Sequence, residues 1–146
     1  MTSIEVNGTI DAPISTVWAL LADARGYQVW GMMRSSTLER TGSPTDDGVG
    51  AVRRFGAWPV FSREEVVAFE PPNRLSYVLL SGLPVVNYRA DVELRQVGQQ
   101  TTVVWRAGFE PRYRWLEIPM RAFLSFILKD FVKRLKREAQ KQPPVT

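Results

Sequence analysis

Arg53, Glu65 and Tyr77 are the residues of this chain whose types and positions could carry chemistry. Each lies in a stretch where apolar and polar residues alternate, the pattern of a β-strand with one buried face. Counting by twos, Arg53 travels with Ala51 and Phe55, Glu65 with Val67 and Phe69, and Tyr77 with Leu75 and Leu79. On that parity the three polar groups share an apolar inner face. Opposite charges in such a shell are costly unless they find each other or a ligand. An inward guanidinium could grip a carboxylate, phenolate or enolate oxygen while Glu65 or Tyr77 moves a proton. The same pair could instead form a structural ion pair at a cavity floor or mouth, or lie in a register where both charges face water. A bulge would flip any of these parities, and Arg63 to Phe69 is the stretch most open to that.

The composition narrows the chemistry further. There is no cysteine and no histidine. Disulfides, thiolate nucleophiles and thiolate metal sites are thereby excluded, together with the commonest metal ligand and the usual neutral-pH base. Acid–base work must rest on Asp, Glu, Tyr, Lys or Arg with shifted pKa values, and no metal and no cofactor is expected. The formal charge of +4 comes from scattered basic residues, dense only near the C-terminus, so a solvated helix face is expected there rather than nucleic-acid binding. Residues 1–10 lack a basic segment followed by an apolar run, and no window approaches about 20 uninterrupted apolar residues. The expectation is a single domain over residues 1–146, cytoplasmic, without stable membrane insertion.

The elements that must position the candidate residues follow in order. Ile4, Val6, Gly8 and Ile10 alternate with polar residues as a first strand. Asp11-Ala12-Pro13 stops it, and a helix follows with Val17, Trp18, Leu20 and Leu21 on its inner face. A second short helix is expected over Asp23 to Trp30, and the two form a wedge at one end. Six further strands are predicted: Ser36 to Arg40, Ala51 to Phe55, Arg63 to Phe69, Arg74 to Leu80, Tyr88 to Val97 and Thr101 to Phe109. Turn-like separators, among them Gly56 to Pro59, Pro71-Pro72-Asn73 and Gly98-Gln99-Gln100, are short, which makes successive strands antiparallel neighbours. Alternation nominates Tyr88, Ala90, Val92 and Leu94, then Thr101, Val103, Trp105, Ala107 and Phe109, as inner residues.

The last segment, Trp115 to Lys141, carries Leu116, Met120, Phe123, Leu124, Ile127, Phe131 and Leu135 at spacings of three and four. This stripe needs a large apolar partner, and the sheet supplies one. Gln142-Pro143-Pro144 is expected to end the helix. Phe126 and Val132 fall off the stripe and hint at a dimer contact. The expected fold class is α+β, a seven-stranded curved antiparallel sheet that wraps and grips a long C-terminal helix, with two short helices between strands 1 and 2.

Several stretches carry a resemblance: Ile10-Asp11-Ala12-Pro13 with Val17 to Asp23; Gly50-Ala51-Val52-Arg53; Arg63-Glu64-Glu65-Val66 running to Glu70-Pro71-Pro72-Asn73-Arg74-Leu75-Ser76-Tyr77; Pro84 with Tyr88; and Thr101 to Trp105 ending at Phe109. In this order over nearly the whole chain, they resemble the START-type helix-grip superfamily, SRPBCC, in its bacterial polyketide cyclase/dehydrase-like branch. The resemblance implies a deep hydrophobic cavity between sheet and last helix. Different members use it to bind lipids, sterols, polyketides or hormones, and some to catalyse cyclisation or dehydration. Function therefore belongs to the site rather than to the fold.

Two functional readings follow. In the first, the chain binds a small, largely apolar ligand, with Trp18, Tyr27, Trp30, Met33, Arg53, Phe55, Glu65, Val67, Tyr77, Leu79, Tyr88, Ala90, Val92, Val103 and Trp105 facing it and Met120, Phe123, Leu124 and Ile127 forming the helix wall. Phe131 and Leu135 would seal that wall against the sheet. Tyr27, Trp30, Met32 and Met33 lie where a portal is expected, and the apolar turn Gly82 to Val86 could cap the cavity, contact a second chain or touch a membrane. For Trp18 and Trp105, plain core packing is the competing role. In the second reading the chain is a cofactor-independent cyclase or dehydratase using Arg53, Glu65 and Tyr77. A chaperone-like or partner-binding module would require helix and sheet to close with little void. Monomer and homodimer both stay open.

Overall fold

A computed structural model describes residues 2–57 and 60–141. Strand β1 (Thr2–Ile10) leads into helix α1 (Ile14–Ala22), a 3-10 turn (Ala24–Gly26) and the one-turn helix α2 (Tyr27–Trp30). Strands β2 (Ser35–Arg40), β3 (Val52–Ala57), β4 (Val60–Glu70), β5 (Arg74–Ser81), β6 (Val85–Val97) and β7 (Gln100–Pro111) follow. A second 3-10 turn (Arg114–Leu116) precedes helix α3 (Glu117–Lys141). The expected helix stop at Gln142-Pro143-Pro144, and part of the turn expected over Gly56 to Pro59, lie outside the described residues.

The seven strands form one antiparallel sheet in the order β1-β7-β6-β5-β4-β3-β2, open and curved, as the α+β helix-grip expectation requires. Apart from the first pair, every neighbour in the sheet is also a neighbour in sequence, which is what short turns impose. The β1–β7 pairing brings the ends of the described chain together, so that α3 lies chiefly against β1. That contact is close because of Gly8, where a Cβ would stand 2.7 Å from Val132 Cγ1.

The inner faces nominated by alternation in β3, β5, β6 and β7 are buried as expected, from Ala51, Arg53 and Phe55 through Leu75 and Tyr77 to Val103, Trp105 and Phe109. Strand β4 departs from the expectation. In the β3–β4 ladder Arg53 faces Glu64 and Val52 faces Glu65. Directly opposed residues point to the same side, so Glu64 and Val66 turn inward and Glu65 outward. Between Val66 and Ala68 the register slips by one residue, leaving Val67 unpaired, and inward parity resumes at Phe69, which packs on Trp18 at 5.3 Å between ring centroids. The expected pair of Glu65 and Val67 as cavity residues is thus corrected to Glu64 and Val66 as the inward pair, of which Glu64 lines the cavity.

Helix α3 buries Met120, Leu124, Leu128, Val132, Leu135 and Ala139. This stripe is rotated from the expected one, because the sheet meets the helix on the Leu128 and Val132 side while Phe123, Ile127 and Phe131 border open space. Val132, expected to face a partner chain, packs over Gly8 instead, whereas Phe126 is exposed. Among the described residues, no helix is long and apolar enough to cross a membrane.

Candidate functional site

Sheet and helix do not close completely. Between them lies a cavity of about 450 Å³. One wall is helical, made by Phe123, Leu124, Ile127, Leu128 and Phe131. The facing wall is the inner surface of β3, β4, β5 and β7, represented by Phe55, Ser62, Tyr77, Leu79 and Trp105, with Tyr88 from β6. The rim is built by Met32, Met33 and Arg34 after α2, by Ala57 and Val60 at the ends of β3 and β4, and by Gly82 and Leu83 between β5 and β6. The apolar turn therefore contributes Leu83 to the cavity, while Val86 stays exposed. Gly82 has a φ of 118°, and a Cβ there would press on the backbone of Phe61 and Ser62 at 2.6 Å, so a glycine lets the turn lie over β4.

The polar groups gather at one pole. Arg53, only 1% exposed, donates from Nη2 to Glu64 Oε1 at 2.8 Å and from Nη1 to Tyr27 Oη at 3.3 Å. Tyr27 in turn donates to the Leu21 carbonyl at 2.6 Å, tying the end of α1 to the pole. The guanidinium carbon sits 4.9 to 5.2 Å from the ring centroids of Tyr77, Phe55 and Tyr27, a cage of three aromatic rings. Trp105 donates from Nε1 to Tyr77 Oη at 3.2 Å, and its ring stacks on Phe131 at 5.7 Å. Burial pushes the Glu64 carboxyl above the usual carboxylate range, against the opposing pull of Arg53. Burial likewise raises the phenols of Tyr27, Tyr77 and Tyr88, which stay protonated at neutral pH. The pole thus offers a charge-paired carboxylate and phenolic hydroxyls, the equipment for holding a polar group or shuttling a proton.

Of the residues expected to face a ligand, Tyr27, Met33, Arg53, Phe55, Tyr77, Leu79, Tyr88, Trp105, Phe123, Leu124 and Ile127 line the cavity. Trp18 packs on Phe69 and Trp30 on Tyr27 and Phe131, both outside it. Ala90, Val92, Val103 and Met120 are buried in the core without reaching the cavity. Phe131 lines the cavity rather than only sealing it, and Leu135 lies in the core below. Glu65 lies across from the pole on the outer side, 3.4 Å from Arg40 in a partly exposed ion pair. Among the lining residues missed are Glu64 and Leu128 at the centre of the cavity walls, with Ser62 on β4 and Arg34, Ala57 and Val60 at the rim. For Glu64 a signal existed: with Ala57 opposite Val60, four places back along each strand put Arg53 opposite Glu64.

A family model described as polyketide cyclase / dehydrase and lipid transport matches residues 1–140. No curated protein matches the chain. Among solved structures, a START superfamily protein from Mycobacterium smegmatis superposes with a TM-score of 0.81 at 10% identity, covering 95% of this chain and 97% of that one. A protein from Thermobifida fusca gives 0.79 at 23% identity, covering 100% and 98%. Norcoclaurine synthase from Thalictrum flavum, solved with dopamine and hydroxybenzaldehyde, gives 0.76 at 13% identity, covering 99% and 89%. At these identities the likeness concerns the fold, which is the START-type fold expected from the sequence. Family and fold together support a ligand-binding or cyclase role.

Proposed function

Since the chain belongs to the polyketide cyclase/dehydrase and lipid transport family, we propose that it binds a small, largely apolar ligand of lipid, polyketide or aromatic type in the cavity between the sheet and α3. The observation that carries this reading is the cavity of about 450 Å³, walled by apolar side chains and holding its polar groups at one pole. Such a shape suits a ligand that is buried along its body and oriented at one end. The helix wall of Phe123, Leu124, Ile127 and Phe131 would grip the body, and Met32 and Met33 would give the rim an adaptable surface. The test is incubation with lipid and polyketide extracts followed by native mass spectrometry. A bound species of unchanged mass, lost when Leu128→Trp fills the cavity, supports the binder; a protein that retains nothing apolar refutes it.

One observation favours a second reading, a cofactor-independent cyclase or dehydratase. The Glu64 carboxyl has its pKa raised by burial and lines the same cavity as Tyr77 and Tyr88. An acid so placed is equipped to exchange a proton with a bound carbonyl compound. The catalytic set is then Glu64 and Tyr77, with Arg53 positioning Glu64, rather than the Arg53, Glu65 and Tyr77 set expected from alternation. A product of altered mass that disappears in Glu64→Gln but persists in Glu65→Gln distinguishes this reading from the binder.

A further inference from the structure

Building on the proposed cavity-binding role, we infer that the ligand is uncharged and hydroxyl-terminated, a phenol or an apolar alcohol, whose O–H donates to Glu64 Oε2. The guanidinium of Arg53 is withdrawn from the cavity rather than used up. Nη2 and Nη1 bind Glu64 and Tyr27, three rings surround Cζ, and the unpartnered Nε is itself buried, so that the side chain, at 2% exposure, offers a ligand almost no surface of the cation. Glu64 differs. Arg53 occupies its Oε1, whereas Oε2 receives no hydrogen bond among the described residues, and the side chain lines the cavity and is 14% exposed. The acceptor aimed at a ligand is therefore a carboxylate oxygen, which calls for a donor.

Charge settles the rest. Arg53 and Glu64 sum to zero, so a ligand charge of either sign would stand uncompensated in an apolar chamber. An anionic head faces the exposed oxygen of Glu64 with the cation hidden behind it. An ammonium pairs with Glu64 but leaves two cations sharing one anion. A hydroxyl donates to Oε2 without changing the sum, and the phenolic hydroxyls of Tyr77 and Tyr88 stand along the same cavity to serve its lone pairs. The other cation of the lining, Arg34, is exposed at the rim, where it could hold an anion only at the mouth.

Calorimetric titration of the full chain at neutral pH with 2-naphthol, 2-naphthoate, 2-naphthylmethylammonium and naphthalene tests this directly. The expected result is that 2-naphthol binds about tenfold more tightly than each of the other three, the scale of one charge-assisted hydrogen bond. Glu64→Gln leaves Arg53 uncompensated and should invert the preference toward naphthoate. Should that variant fail to fold, Arg53→Met/Glu64→Gln restores neutrality and should keep the preference for naphthol over both ions. Naphthoate binding as tightly as naphthol to the unaltered protein, and losing affinity in Arg34→Ala, would place the anion at the rim and overturn the inference. Equal binding of all four probes would overturn it while leaving the cavity-binding role intact, and binding of none would overturn both.

Discussion

Arg53 Nη2 and Glu64 Oε1 stand 2.8 Å apart at directly opposed positions of β3 and β4, with side chains 2% and 14% exposed. An ion pair this deep in an apolar shell contributes little net stability when intact but is expensive to halve, because the surviving charge is left without a counter-ion. Glu64→Leu or Arg53→Met alone is expected to cost about 3–5 kcal/mol in urea denaturation, and the double variant should recover most of that loss. Glu65→Ala, which removes only the partly exposed partner of Arg40, should cost less than about 1 kcal/mol. Equal losses at positions 64 and 65 would contradict the inward parity of Glu64.

The buried phenols set the alkaline limit. Tyr27, Tyr77 and Tyr88 are raised above the ordinary tyrosine value of 10.0 by desolvation, with Arg53 pulling Tyr27 partly back. Above pH 10 the unfolded chain releases these protons while the folded chain keeps them. Their contribution is therefore complete below the unfolded value and is lost as pH rises, by up to about 1.4 kcal/mol per pH unit for each phenol. Absorbance at 295 nm should show the phenolates of these three residues appearing together with loss of circular dichroism. Early, non-cooperative ionisation that Tyr77→Phe abolishes would show that the pole is wet.

The seating of α3 depends on a missing side chain. A Cβ at Gly8 would stand 2.7 Å from Val132 Cγ1. Gly8→Ala is expected to cost about 1–3 kcal/mol by overpacking, read as a fall in the denaturation midpoint. Gly8→Ala/Val132→Ala should be less destabilised than the sum of its single changes. If the two losses simply add, helix and strand are not in contact there.

How far the chain could be read in advance depended on what each signal averages over. Strand and helix identities were legible because alternation runs unbroken for eight residues or more in β6, from Tyr88 to Arg95, and in β7, from Thr101 to Phe109, and the topology followed from short turns. In β4 the irregularity at Val67 shifts the parity midway, so Glu64 and Phe69 both point inward although they stand an odd five positions apart, and a strict count by twos must miss one of them. The helix stripe erred for a different reason. Periodicity locates an apolar face, but α3 is apolar toward two things, the packed sheet at Val132 and the open cavity at Phe123 and Ile127, and composition does not separate them.

That division of α3 yields a prediction about stability itself. Leu128 and Leu135 are both buried on the same helix, at 1% and 0% exposure, yet Leu128 borders the cavity and Leu135 does not. A side chain beside a void has fewer atoms to touch, and its truncation enlarges an existing space rather than opening a new one. Leu135→Ala should accordingly fall within the usual 2–5 kcal/mol of core truncations, while Leu128→Ala should cost about 2 kcal/mol or less in the ligand-free protein. With 2-naphthol bound, the void is occupied and Leu128 gains a partner, so the cost of Leu128→Ala should rise toward that of Leu135→Ala. Urea melts of both variants with and without the ligand read this difference; a ligand that stabilises the unaltered protein and Leu128→Ala equally would mean that it does not rest against the α3 wall.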